Sequence, residues 1–197
     1  KVNFPKFLPP MSSALFGYLG YETIEQYETL PKRKLNELNL PDGFFIRPSI
    51  MAIFDSLENI LIITTPSWYK KNLNLKQEYK QKIDLIEKIR SNLKKPIKIF
   101  NKKTKTAKIN PKSNISKSKF IELVNSAKKH IYNGDIFQVV LSQRFKSQFK
   151  LPPFELYRSL RSLNPSPFLF YLNFQDNKCG EFSLVGSSPE ILVKLEN

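Results

Sequence analysis

Cysteine, histidine and tryptophan each occur once among 197 residues. A single thiol, Cys179, closes no internal disulfide, which excludes a stapled secreted scaffold and a multi-cysteine zinc module. No run of about 18 apolar residues exists, so no stretch reads as a membrane-spanning helix. Lys1–Pro10 has no signal-peptide core. A reducing, cytoplasmic setting without membrane attachment is the expectation. Glycine is scarce, with six residues, and no repeat recurs, which excludes collagen-like and low-complexity chains. Acidic residues are also few, 17 against 32 basic ones, for a formal net charge of +15. What is present is ordinary globular material, 41% hydrophobic and 25% charged. The chain starts at Lys1 rather than at a methionine. It stops at Asn197, straight after the strand-like run Glu190–Glu196, and is expected to be a piece of something longer.

The excess charge is local. Residues 70–119 hold 17 of the 32 basic residues and only three acids, Glu78, Asp84 and Glu87. Arg, whose bidentate fork suits base reading, supplies six of the 32. A basic nucleic-acid-binding module is the reading such a block invites. A solvated Lys face is the reading favoured here, with no nucleic-acid partner.

Pattern predicts an α+β chain. Leu15–Tyr21 reads as a short buried strand and Tyr21–Thr29 as a short helix. Residues 30–43 read as an irregular connection. Ser49–Asp55 and Ile60–Thr65 read as a hairpin around a four-residue loop. Residues 75–93 read as a helix with Tyr79, Ile83, Ile86 and Ile89/Leu93 inward. Residues 94–115, Lys-rich with Pro96 and Pro111, read as a linker. Ser116 is a candidate N-cap for a helix with Phe120, Val124, Ala127 and Ile131 as its apolar stripe and Gly134 as its stop. Ile136–Phe149 alternates like a strand with one face in a core. Pro152–Pro153 starts a helix with Phe154, Leu156/Tyr157 and Leu160 inward, ending near Asn164. Phe168–Phe174, apolar on both faces, reads as a central strand. After a turn at 176–180 comes a strand at Phe182–Gly186. Ser187–Glu190 reads as a tight break before a last strand. The expected architecture is layered, mostly antiparallel sheets with flanking helices.

Chemistry is sparse. No phosphate-binding glycine loop and no His-Glu-x-x-His appear. The sole histidine, His130, lies on the edge of a helix stripe and reads as a boundary residue rather than a general base. Cys179 sits in a polar turn with no base suggested beside it. The acids never cluster at metal-ligand spacing. No catalytic residue and no metal ligand is assigned in this chain. The segment Asn164–Tyr171 stands apart. Two prolines in four positions fix two φ angles and remove two donors just before an aromatic strand. Such a rigid entrance suits a pocket for a small aromatic ligand. It also suits a plain helix-to-strand connector.

Several motifs then fall in one order. They are Gly17-Tyr-Leu-Gly-Tyr-Glu22, Pro48-Ser-Ile-Met-Ala-Ile-Phe-Asp55, Gly134-Asp-Ile-Phe-Gln-Val-Val-Leu-Ser-Gln-Arg-Phe145, Pro153-Phe-Glu-Leu-Tyr-Arg158, Asn164-Pro-Ser-Pro-Phe-Leu-Phe-Tyr171 and Val185-Gly-Ser-Ser-Pro-Glu190. Together they resemble the chorismate-utilising enzymes, and among these the anthranilate synthase component I family. The sister family, aminodeoxychorismate synthase component I of folate synthesis, is the alternative. Val140, Ser166 and the Val185-Gly186 pair favour the first. Phe168 departs from the Tyr more common there.

The resemblance implies a lyase of tryptophan biosynthesis. It would convert chorismate and ammonia to anthranilate and pyruvate with Mg²⁺. A partner glutamine amidotransferase would supply the ammonia, and tryptophan would inhibit. It implies residues 1–93 as part of an N-terminal regulatory region, 94–115 as linker and 116–197 as the start of a chorismate-binding domain. The family's catalytic and Mg²⁺ residues lie beyond Ser187-Ser-Pro-Glu190, so a chain ending here is expected to be inactive alone. The part carried over is the tryptophan site: Pro167, Phe168 and Leu169, with Asn164, Pro165 and Ser166 shaping the turn.

Overall fold

A computed structural model of the chain describes residues 5–31, 36–68, 71, 74–96 and 109–195. It is α+β, with three α-helices, two 3-10 turns and four two-stranded sheets among those residues. The chain divides into two compact units. The first comprises Lys1–Ile99 and Leu172–Ser183, the second Phe100–Tyr171 and Leu184–Asn197. One hairpin, β7–β8, therefore contributes residues to each.

In the first unit, β1 (Phe16–Leu19) pairs antiparallel with β2 (Gly43–Ile46). Gly17 is required by the close approach of the strands: a Cβ there would overlap the Phe44 carbonyl oxygen. A 3-10 helix at Tyr21–Gln26 stands where a short helix was expected. β2 lies at the end of the stretch expected to be irregular, and it supplies the partner that β1 needs. β1 is only partly covered, with Leu15 and Leu19 exposed, so it is not the buried strand expected. The expected hairpin is present as β3 (Met51–Asp55) and β4 (Ile60–Thr64). Asp55 shapes its loop by accepting from the amides of Leu57 at 2.9 Å and Glu58 at 3.1 Å.

Helix α1 spans Leu75–Leu93, and the Asn74 side chain caps it by accepting from the Gln77 amide at 3.2 Å. Its covered face differs from the expected one. Lys82, Leu85, Ile86 and Ile89 are half-buried, while Tyr79 and Ile83 are exposed. The apolar residues form two overlapping rows, and only one row is covered. Against β1 and β2, Phe174 from β7 (Phe168–Asp176) is 2% exposed, the one buried hydrophobic side chain among the described residues. Its ring sits 4.8 Å from Phe44, 5.4 Å from Phe182 and 6.0 Å from Tyr18. Tyr18 donates its hydroxyl to the Pro41 carbonyl at 2.7 Å.

In the second unit, α2 spans Lys117–Tyr132. Ser116 caps it, accepting from the Lys119 amide at 3.2 Å. Gly134, at φ +80°, ends it as the sequence predicts. Its amide bonds to Ile131 and that of Asp135 to His130, the paired closure that satisfies the last carbonyls. Phe120, Val124 and Ala127 are half-buried, as expected, but Ile131 is exposed. The expected strand over Ile136–Phe149 is realised only as β6 (Phe145–Lys146), paired with β5 (Lys112–Ser113). An alternating pattern becomes a strand only where another backbone takes its hydrogen bonds. Here the ladder is short: next to the β5–β6 pair, the Arg144 carbonyl accepts from the Asn114 amide at 2.9 Å. Residues 97–108 of the expected linker lie outside the described residues.

Helix α3 spans Pro153–Leu163, with proline in its first turn. Tyr157 and Leu160 are half-buried, whereas Phe154 and Leu156 are more exposed than expected. Phe154 stacks on Tyr157 at 5.6 Å and meets Tyr171 of β7 edge-on at 5.3 Å. β7 pairs with β8 (Gly180–Ser188) and with no other strand among the described residues, so it is not the central strand expected. The three-residue connection permits only antiparallel pairing. β8 continues through Ser187 and Ser188, where a break was expected, because the first residue lacking an N–H is Pro189. Residues 190–195 form no strand, and Glu196 lies outside the described residues.

Candidate functional site

The residues singled out in sequence form the passage from α3 into β7. Asn164 is the C-terminal residue of the helix turn, donating its amide to the Leu160 carbonyl at 2.8 Å. Pro165, Ser166 and Pro167 follow, and Phe168 opens β7. Pro165 and Pro167 have no N–H, so the turn depends on other groups for its hydrogen bonds. Ser166 provides one: its hydroxyl donates to the Ser188 carbonyl and accepts from the Phe168 amide at 3.4 Å. Ser187 provides another, donating its hydroxyl to the Asn164 carbonyl at 3.0 Å.

Strand alternation separates the three residues expected to touch a ligand. Phe168 and Phe170 share one face of β7. Leu169 and Tyr171 share the other, where Tyr171 meets Phe154 and Tyr157 of α3. Phe168 and Phe170 are 39% and 40% exposed, so two aromatic rings stand partly open beside the proline turn. The Phe170 ring lies directly against Gly186 of β8, where any Cβ would run into it. Ser187 and Gly186 were not chosen from sequence as site residues. Their signal was the unusual run Val185-Gly-Ser-Ser-Pro-Glu190, in which a glycine and two hydroxyls end a strand.

The other reactive side chains lie outside the proline turn. Asp176 lies at the β7–β8 turn and accepts from the amides of Cys179 at 3.0 Å and Lys178 at 2.8 Å. These bonds hold its carboxyl below the usual aspartate range. Desolvation, then hydrogen bonding to Asp176 and its charge, raise the Cys179 thiol. A thiol shifted in that direction is a poorer nucleophile at neutral pH. Desolvation is also the first cause that raises the Tyr18 hydroxyl. His130, exposed at the end of α2, bonds Asp135 at 2.9 Å. Among the described residues, no three His, Cys, Asp or Glu side chains gather as a metal set. No helix among them is long and apolar enough to cross a membrane.

An α+β chain with a proline-rigid aromatic turn and motifs spread from end to end defines a class rather than a single activity. Comparison with known proteins gives that class its name. The sequence profile of the chorismate binding enzymes matches residues 2–197, and the chain belongs to this family. It is 39% identical, over all of its length and 39% of the relative's, to anthranilate synthase component 1 of Cereibacter sphaeroides. It is 36% identical to the protein of that name from Thermus thermophilus, over 95% of this chain and 37% of the relative. A crystal structure of anthranilate synthase component I from Streptococcus pneumoniae TIGR4 superposes on the whole chain with a TM-score of 0.81. It is 27% identical, and the match covers 43% of that chain. The chain thus spans about two fifths of the length of the curated relatives it matches.

Proposed function

We propose that the chain is a central section of an anthranilate synthase component I. The longer protein takes chorismate and ammonia and releases anthranilate, pyruvate and water, the first step of tryptophan biosynthesis. A glutamine amidotransferase partner supplies the ammonia. The observation that carries the reading is the likeness, over 95–100% of this chain, to several proteins of that name. Mg²⁺ belongs to the same reading. On this reading its ligands lie in parts of the longer protein beyond this chain. The catalytic groups are assigned there too, and the isolated chain is inactive on this reading.

The role of this chain is control. Tryptophan binds at the turn Asn164–Leu169, with Phe168 as its aromatic contact and Pro167 and Leu169 beside it. Partly open rings next to a turn whose φ angles are preset favour a planar aromatic ligand, because little entropy is lost in ordering the site. Inhibition then requires tryptophan to bind one global state of the enzyme better than another. The test is product analysis on the longer protein supplied with chorismate, ammonia and Mg²⁺. Anthranilate is the expected product. Aminodeoxychorismate without anthranilate would move the protein to the folate branch. Phe168→Ala should raise the tryptophan concentration for half-inhibition about tenfold or more, the worth of a lost aromatic anchor.

A further inference from the structure

Two hydroxyl bonds running in opposite directions join the proline turn to the end of β8. Ser166, on the turn, donates to the Ser188 carbonyl. Ser187, on β8, donates to the Asn164 carbonyl at 3.0 Å. Both are side-chain bonds to backbone, 22 and 23 residues apart in sequence, and neither belongs to a strand ladder. They stand where the turn has lost its own donors to proline. Each also reaches further. Asn164 closes α3 through its amide, so the Ser187 bond fixes the helix end as well as the turn. The Ser166 hydroxyl accepts from the Phe168 amide, so that bond fixes the first residue of β7. On the β8 side, the Ser188 hydroxyl donates to the Glu190 carbonyl at 3.0 Å, carrying the connection past Pro189.

We propose that Ser187 and Ser166 form a reciprocal clasp that positions the ligand turn and ties its geometry to residues 187–190. The inference rests on the reading of this turn as a tryptophan site. Neither serine is a contact to the indole. Ser187 acts through Asn164, and Ser166 acts through Phe168. The clasp holds the Phe168 amide and ring where a ligand meets them, and a ligand that shifts the turn shifts the end of β8 with it.

The experiment compares wild type, Ser187→Ala, Ser187→Thr, Ser166→Ala and the double alanine variant of the longer protein. It reads amide exchange over Phe168–Tyr171 and the tryptophan concentration for half-inhibition. Ser187→Ala should speed exchange about fivefold and raise half-inhibition by a similar factor, the worth of one hydrogen bond. Ser187→Thr keeps the hydroxyl and should stay within about twofold of wild type. The double variant should lose less than the product of the two single losses, because either cut opens the clasp. Unchanged exchange in Ser187→Ala overturns the proposal. So does faster exchange with an unmoved half-inhibition in a tryptophan-sensitive wild type. A wild type that ignores tryptophan while Ser187→Ala still exchanges faster removes the inhibitor reading and leaves the clasp as a positioning device.

Discussion

The β7–β8 hairpin is held in two different ways along its length. In the first unit its residues Phe174 and Phe182 are gripped by rings from β1 and β2, and Phe174 is buried. In the second unit its base is held by serine hydroxyls and prolines, while Phe168 and Phe170 stay partly open. The first arrangement stabilises by removing apolar surface from water. The second fixes a backbone path and leaves aromatic surface available.

The largest effect is expected at the buried end of the hairpin. Phe174→Ala should destabilise the first unit by about 4 kcal/mol in urea unfolding. A loss below about 1 kcal/mol would mean that the four-ring cluster is not its core. Next comes Gly186→Ala, whose methyl meets the Phe170 ring. It should cost about 2 kcal/mol by overpacking. Adding Phe170→Ala should recover part of that cost, and two strictly additive losses would show that the ring does not rest on the glycine. A smaller change of opposite sign is expected at Ser12, 3% exposed with a hydroxyl that has no hydrogen-bond partner among the described residues. Ser12→Ala should raise stability by about 1 kcal/mol, since it removes a desolvated donor. A destabilised variant would reveal a partner for that hydroxyl.

The smallest effect is one of pH. The folded-state value of Asp176 is lowered, chiefly by the Cys179 amide and then by that of Lys178. Its contribution to stability is therefore complete above the ordinary value of 3.8 and is lost as pH falls from there through the lowered value. Asp176→Asn should flatten that acid limb and leave the neutral-pH side of the profile alone. An unchanged acid limb would assign it to other carboxylates.

The elements that could be read from sequence were those with local causes. Ser116 and Gly134 bound α2 because a cap and a left-handed stop act within a few residues. The β3–β4 hairpin was legible because its loop and both its strands are contiguous. The proline turn was legible for the same reason, and its place between α3 and β7 is as expected. Features with distant causes were not legible. β2 at Gly43–Ile46 exists because β1 needs a partner. The alternation of Ile136–Phe149 is a strand only at Phe145–Lys146 among the described residues, because pairing with β5 decides it and no local signal does. The covered row of α1 is chosen by what packs on it, and two rows of its sequence qualified. The serine clasp links residues 22 and 23 positions apart, and no spacing rule marks such a pair. Separation of Phe168 from Leu169 could have been seen in advance, since it follows from strand alternation alone.

The most direct measurement is a tryptophan titration of the longer protein while anthranilate fluorescence is followed with chorismate, ammonia and Mg²⁺ present. Anthranilate formation should fall as tryptophan rises, with Phe168→Ala blunting the fall. Anthranilate formation indifferent to tryptophan, or inhibited equally in the Phe168→Ala variant, would contradict the reading of this turn as a tryptophan site.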